Sequence, residues 1–342
     1  MKTFFVYSPH HSQLLREENC RLICTFARVR RQDDGIYEMA DGSTTQKFVP
    51  YLPEGYSEII IDSGGFQLQR GDVQVTMPIS VKTYASWLNS AIKKYPEIVG
   101  YMNLDLVQLP GYTQYIKCKQ CKNEEKAPLW QKKFLKEITK TKKCKLCGGR
   151  LKLVRKSHPE TLEEKTKRME LSAIISLENQ FILEGEGLSP IPVWHDGEPE
   201  EYLRYYCDRY QWVAIGGLVG RLKSKDYYRK LVNRITQNYP NTDFHLLGIG
   251  ITGIEAFRQG KIFSTDFSTW STVSRYGHVI VTDPKQLIKE VKMSDEDRDR
   301  LRHDQEFQLE VTRQSIKNIQ MFEKSVNDMK ITEYQNIMRL PV

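Results

Sequence analysis

Short apolar runs alternate with helix-like stretches along most of the chain. TFFVYS (3–8), EIIID (58–62), IVGYMNLD (98–105), PIPVWH (190–195), WVAIGG (212–217), FHLLGIG (244–250), KIFSTD (261–266) and HVIVTD (278–283) read as strands. Between them, SVKTYASWLNSAIKKY (80–95), TLEEKTKRMELSAIISLENQF (161–181) and SKDYYRKLVNRITQNY (224–239) read as helices. Such alternation predicts an α/β protein with a parallel sheet and helices outside it. About eight strands over 342 residues favour a (β/α)8 TIM-type barrel, with a doubly wound open sheet as the alternative.

The strand ends carry a second pattern. Polar or glycine-rich groups follow the apolar runs at Asp62-Ser63-Gly64-Gly65, Asp105, His195-Asp196, Gly216-Gly217 and Asp266. In a barrel these C-terminal ends gather at one mouth, where the connecting loops build the active site. A single Asp there is a cap or a turn residue; a set of them implies a site.

The alternation breaks twice. Residues 117–156 hold fifteen Lys or Arg against three acids, a local charge of +12 in a chain whose total is +8, so the remainder carries −4. The basicity is thus concentrated in one segment, which is either a solvated lysine-rich loop or a surface for an anionic partner. From about 284 the chain becomes charged and helical, with Ser294 and Asp297 spaced as an N-terminal capping pair. The expected division is a barrel over 1–111 and 159–283, an insertion over 112–158 on the barrel's rim, and a helical C-terminal extension over 284–342.

The basic segment also holds four of the seven cysteines, as CKQC (118–121) and CKLC (144–147), with 22 residues between the pairs. Two C-x-x-C pairs suit one tetrahedral Zn²⁺ held by Cys118, Cys121, Cys144 and Cys147, and Gly148-Gly149 let the chain curl under the thiolates. Four protein ligands leave no open coordination position, so the predicted role is structural. Disulfides are the competing reading. Cys20, Cys24 and Cys207 have no such spacing and read as buried or incidental. No apolar run approaches bilayer length, and MKTFFVYSPHH lacks the apolar core of a signal peptide. The expectation is a cytoplasmic protein with no membrane partner.

DSGGFQ (62–67) resembles a signature of the tRNA-guanine transglycosylase superfamily. MNLD (102–105), PVWHDG (192–197), AIGGLVG (214–220), HLLGIG (245–250) and IFSTDFSTW (262–270) follow in that family's order, so the resemblance covers roughly residues 55–280. It implies a modified TIM barrel that replaces guanine in a polynucleotide by a 7-deazaguanine without cutting the backbone. Asp266 would be the nucleophile that forms a covalent sugar intermediate, and Asp62 the general acid/base. Asp105 would accept hydrogen bonds from N1–H and the 2-amino group of guanine, which adenine cannot offer. The amides of Gly216 and Gly217 would donate to O6. Ser63 and Gly64 would bring backbone close to the base, and Phe66 would stack on it or belong to the core. The backbone near Leu218 would face the 7-substituent. His195 stands where the tRNA enzymes carry a Gln that touches the base. His245 reads as a structural residue at the start of a strand.

Two departures bear on the polynucleotide. The tRNA enzymes bind zinc through a late C-x-C-x-x-C…His cluster, whereas this chain has no cysteine after Cys207. The loop after Asp266 reads FSTWSTVSRYG rather than a proline-threonine-arginine segment. This combination resembles the DNA-guanine transglycosylases of bacteria and phages, which insert bases such as preQ0 into DNA and hide it from restriction nucleases. DNA is therefore the expected partner, with the target guanine flipped out or single-stranded, and tRNA is the alternative. A catalytically silent nucleic-acid-binding subunit and a zinc-ribbon binding module are the readings from other classes. An accessory protein or a homodimer remains open.

Overall fold

The computed structural model of the chain describes residues 1–38, 44–64, 81–105, 112–127, 143–218, 225–249, 262–271, 276–282 and 288–337. They fall into two compact units, Met1–Val107 with Ser172–Val342, and Gln108–Leu171. The first contains β1 (Lys2–Val6), β2 (Arg21–Thr25), a hairpin β3–β4 (Arg30–Glu38 and Thr44–Pro50), β5 (Ile59–Asp62) and β6 (Ile98–Tyr101). The second unit supplies β7 (Tyr112–Cys118), β8 (Glu124–Ala127) and β9 (Leu151–Ser157). The first unit resumes with β10 (Val193–His195), β11 (Trp212–Gly216), β12 (Asp243–Leu246), β13 (Ile262–Phe267) and a second hairpin, β14–β15 (His278–Thr282 and Ile288–Lys292).

The main sheet has eight strands in the order β10-β11-β12-β13-β1-β2-β5-β6, and every pairing is parallel. It is curled enough for its two edges to meet. Met102, just beyond β6, bridges Ile191, just before β10. The Asn103 N–H donates to the Ile191 carbonyl at 2.9 Å, and the Ile191 N–H to the Tyr101 carbonyl at 2.8 Å.

Side chains alternate across a strand, so one residue known to face inward fixes its neighbours two away. Phe4, Ile23, Ile60, Met102, Val193 and Ala214 pack together in one small cluster on the inner face. Their outward neighbours, among them Phe5, Leu22, Ile61, Trp194 and Val213, join the larger core that carries the helices. Stepping two residues on from Ile23, Ile60, Val193 and Ala214 places Thr25, Asp62, His195 and Gly216 on the inner side at the strand ends. In β13 the phase is reset by a register shift: Phe244 pairs Ile262, but His245 pairs Ser264. The extra residue, Phe263, leaves Ile262 in the outer core and turns Ser264 and Asp266 to the side of Phe4, Asp266's partner on β1. A bulge that re-aims a functional side chain is a recurring device at sheet rims.

Two expectations need correcting. The run at 278–283 is not part of the main sheet: Val279 and Val281 pair antiparallel with Val291 and Lys289 in a hairpin against the C-terminal helix. The eighth place is taken by β2, RLICT, which the expected strands leave out and which pairs with β1 and β5. The basic insertion accordingly follows the fourth sheet strand in chain order, not the third. Its compact unit, Gln108–Leu171, is wider than 112–158 because it includes the start of the helix Leu162–Gly185.

The C-terminal helices Asp295–His303 and Gln305–Ile337 belong to the first unit. Glu323 accepts from Arg21 Nη1 at 2.7 Å and from the Thr3 N–H at 2.9 Å, and Arg313 pairs with Glu17 and Glu18. Ser294 caps the first of these helices as expected, accepting from the Asp297 N–H at 3.0 Å. Among the described residues, no helix is long and apolar enough to cross a membrane.

Candidate active site and metal centre

Three carboxylates come from three strand ends. Asp62 closes β5 and is half-buried; Thr25, its register partner on β2, donates from Oγ1 to Asp62 Oδ2 at 3.2 Å. Burial pushes the Asp62 carboxyl up, and the negative charges of Asp105 and Asp266 push the same way. The Gly64 N–H and Thr25 hydroxyl offset part of this, leaving a pKa of about 7. A carboxyl with that value exchanges its proton at neutral pH.

Asp105 follows β6 on a loop held from outside by the helix Leu162–Gly185. Asn179 Nδ2 donates to the Leu104 carbonyl at 2.7 Å, and Asn103 Nδ2 donates to the Ser176 carbonyl at 3.1 Å. The buried Ser63 hydroxyl donates to Asp105 Oδ1 at 2.5 Å. His195 Nε2 meets Asp105 Oδ2 at 3.0 Å, while its Nδ1 meets Glu198 Oε1 at 2.9 Å. Burial pulls the imidazole pKa down, but hydrogen bonds to Asp105 and Glu198, and their charges, outweigh it and raise it to about 10. His195 is therefore an imidazolium between two carboxylates, and both ring nitrogens are engaged inside the protein.

Asp266 is held differently. His245 Nε2 lies 3.2 Å from Asp266 Oδ1, and the Gly248 N–H donates to the same oxygen at 3.0 Å. The other ring nitrogen of His245 meets Ser264 Oγ at 2.8 Å. His245 is fully buried and is the third residue of β12, not its start. Both bonds fall on Oδ1, so among the described residues Oδ2 is the oxygen left facing the site.

The glycines divide their roles. A Cβ at Gly216 would sit 2.6 Å from His195 Cδ2 and 2.9 Å from its Nε2, so this glycine makes room for the imidazolium. Because His195 is locked at both nitrogens, G216A should displace it and cost about 1–3 kcal/mol of stability. Thermal melts beside wild type check this; an unchanged midpoint would mean that the ring can yield. Gly217 is exposed, with φ +73°, a conformation that disfavours any side chain. Gly64 has the same φ of 73° beyond β5. Leu218 is buried and its carbonyl accepts from the Tyr228 hydroxyl at 3.4 Å. Phe66 lies outside the described residues.

In the second unit, β8-β7-β9 form a three-stranded antiparallel sheet, and the cysteines sit in the turns at its end. The sulfurs of Cys118, Cys121, Cys144 and Cys147 all lie within 4.8 Å of one another, with Cys118–Cys147 at 3.5 Å and Cys121–Cys144 at 3.6 Å. A disulfide needs about 2.05 Å, whereas a tetrahedral metal with bonds of about 2.3 Å spaces its sulfurs by ~3.8 Å. These four cysteines can therefore hold a metal ion. The residue after each pair, Lys122 (φ 64°) and Gly148 (φ 67°), is left-handed, so the two turns are built alike. At Gly149 a Cβ would meet Cys118 Sγ at 3.0 Å, so the second turn packs its backbone against the first ligand.

Compared with models of known protein families and with curated proteins, the chain matches none. The geometry thus carries the functional argument. It adds Thr25, Glu198, Ser264 and Gly248 to the residues expected from sequence, and gives His245 a contact with Asp266. Glu198 had a readable signal. HDGE places a glycine (Gly197, φ 110°) in a turn where the Glu198 N–H returns to the His195 carbonyl at 2.9 Å. That turn carries the carboxylate back beneath the imidazole.

Proposed function

We propose that the chain is a guanine transglycosylase that exchanges guanine in DNA for a 7-deazaguanine such as preQ0, on a sheet closed as a (β/α)8 barrel. The observation that carries this reading is the set of three strand-end carboxylates with three different environments. Asp62 holds a proton near neutrality, Asp105 is clamped by Ser63 and His195, and Asp266 is fixed, among the described residues, through one oxygen.

In this reading Asp266 Oδ2 attacks C1′ of the target deoxyribose as the N9–C1′ bond breaks, and the leaving guanine takes the proton of Asp62. The incoming base then returns its N9 proton to Asp62 and attacks C1′, displacing Asp266. Two inversions give net retention with an unbroken phosphodiester chain. Asp105 accepts from the purine's N1–H and 2-amino group, a pattern adenine lacks. The +12 segment 117–156 supplies phosphate contacts, and zinc bound by the four cysteines holds that segment's fold. With four thiolates the zinc cluster carries about −2, which leaves the segment basic.

The test is to incubate the protein with preQ0 and either DNA or unmodified tRNA, then to quantify nucleosides by mass spectrometry. Deazaguanosine in DNA is expected. The first half-reaction needs protonated Asp62 and the second needs it ionised, so exchange should peak near pH 7 and fall on both sides. Incorporation in tRNA alone would transfer the same chemistry to that substrate. No incorporation in either polymer would favour the silent subunit.

A further inference from the structure

Among the described residues, Glu198 is the one buried carboxylate that the proposed chemistry does not use. Its side chain is 1% exposed and both oxygens are engaged by a single residue. Oε2 accepts from the His195 N–H and Oε1 from His195 Nδ1, each at 2.9 Å. On the far side of the same ring, Nε2 points at Asp105 Oδ2 at 3.0 Å. Neutral histidine has one N–H and one lone pair, and a lone pair aimed at a carboxylate oxygen is repulsive. With carboxylates at both nitrogens, the ring must carry two hydrogens.

We infer that Glu198 is a positioning residue of the purine-binding carboxylate: it keeps His195 doubly protonated, so that Asp105 always meets a cationic Nε2–H donor that holds it aimed at the base. The inference rests on Asp105 as the purine acceptor. It goes beyond that reading by placing the control of Asp105 in a group that never touches substrate. Gly216 serves the same arrangement by leaving the ring its space.

The surroundings decide what titrates. Facing the ring are Asp105, from the loop after β6, and Glu198, from its own turn. Further out stand Asp62 and Tyr84 beside Asp105, and Tyr206 of the helix Glu200–Arg209 beside Glu198. The His195 pKa is raised to about 10, so the wild-type ring stays charged across pH 6–9. Glu198→Gln keeps the shape and removes one of the two anions. The ring should then lose its second proton within that range: the glutamine amide donates to Nδ1, the remaining hydrogen stays on Nε2, and Asp105 loses the positive charge behind that bond as pH rises.

The experiment measures 7-deazaguanine binding between pH 6 and 9 for wild type, E198Q, H195Q and the double variant. Alongside, ¹⁵N spectra of the His195 ring are recorded for wild type and E198Q. Wild type should show two protonated nitrogens at pH 8.5 and E198Q one. E198Q affinity should fall about tenfold from pH 6 to 9, while H195Q is flat, because glutamine does not titrate. Adding E198Q to H195Q should change affinity less than twofold, since Glu198 acts through the ring. A singly protonated wild-type ring at pH 8.5 would overturn the inference, as would an E198Q effect that persists undiminished in the H195Q background. A doubly protonated ring in a protein that binds no purine would instead overturn the transglycosylase reading, and with it the purine half of this inference. Thermal melts of all four proteins guard against misfolding.

Discussion

Asp266→Asn should abolish base exchange, by about 10⁴-fold or more, while leaving the melting curve close to wild type. The amide oxygen can still accept from His245 Nε2 and the Gly248 N–H, so the rotamer and the local hydrogen bonds survive. What is lost is the anionic oxygen that, in the proposed mechanism, would attack C1′, because an amide oxygen is a poor nucleophile. Asp62→Asn should be milder, about 10²–10⁴-fold, since proton transfer can be partly taken over by water. A second readout separates the roles. Denaturing gels of protein mixed with DNA in the absence of added base should reveal a covalent protein–DNA band for wild type and none for D266N. Exchange by D266N within tenfold of wild type would remove Asp266 from the nucleophile's role.

Much of this site was legible in the sequence because strand ends advertise themselves. A β-branched run such as Ile59-Ile60-Ile61 that stops on Asp leaves few options for the carboxylate: it caps, turns or reacts. Asp105, His195 and Asp266 likewise stand at or just past the ends of apolar runs, and the C-x-x-C spacing picked out the four cysteines that can hold a metal. What stayed hidden depends on phase and on three-dimensional return. Alternation read straight through KIFSTD would put Ile262 and Asp266 on one face. The shift at Phe263 separates them, and no residue in that run announces it. RLICT was missed although EIIID, equally short and also opened by a charged residue, was read as a strand. HVIVT was misplaced because a strand of a surface hairpin and a strand of a main sheet share one composition. Period two identifies a strand but not its partner. Glu198 and His245 illustrate a further limit. Each takes its meaning from the atom it touches, Glu198 from a ring brought back by a tight turn and His245 from a carboxylate 21 positions away.

Removing the metal should unfold the second unit while sparing the first. Among the described residues of Gln108–Leu171, the buried apolar positions are Cys118, Cys144 and Met169, so two of the three belong to the cysteine cluster that can hold a metal. Structural zinc typically contributes about 10–16 kcal/mol of folding free energy. That is as large as the whole stability of an ordinary domain, about 5–15 kcal/mol, so the unit has nothing comparable to fall back on. Metal analysis should find one zinc per chain, and Cys118→Ser or a strong chelator should release it. Hydrogen exchange should then accelerate throughout β7–β9 while β1, β5 and β13 stay protected. DNA binding should weaken most at low salt, where the ordered lysines contribute most. The sign with pH follows from the ligands: thiolates must be deprotonated to bind, so acidification should release the zinc and alkaline pH should retain it. Protection in β7–β9 that survives complete zinc removal would show that side-chain packing, and not the four thiolates, holds this unit together.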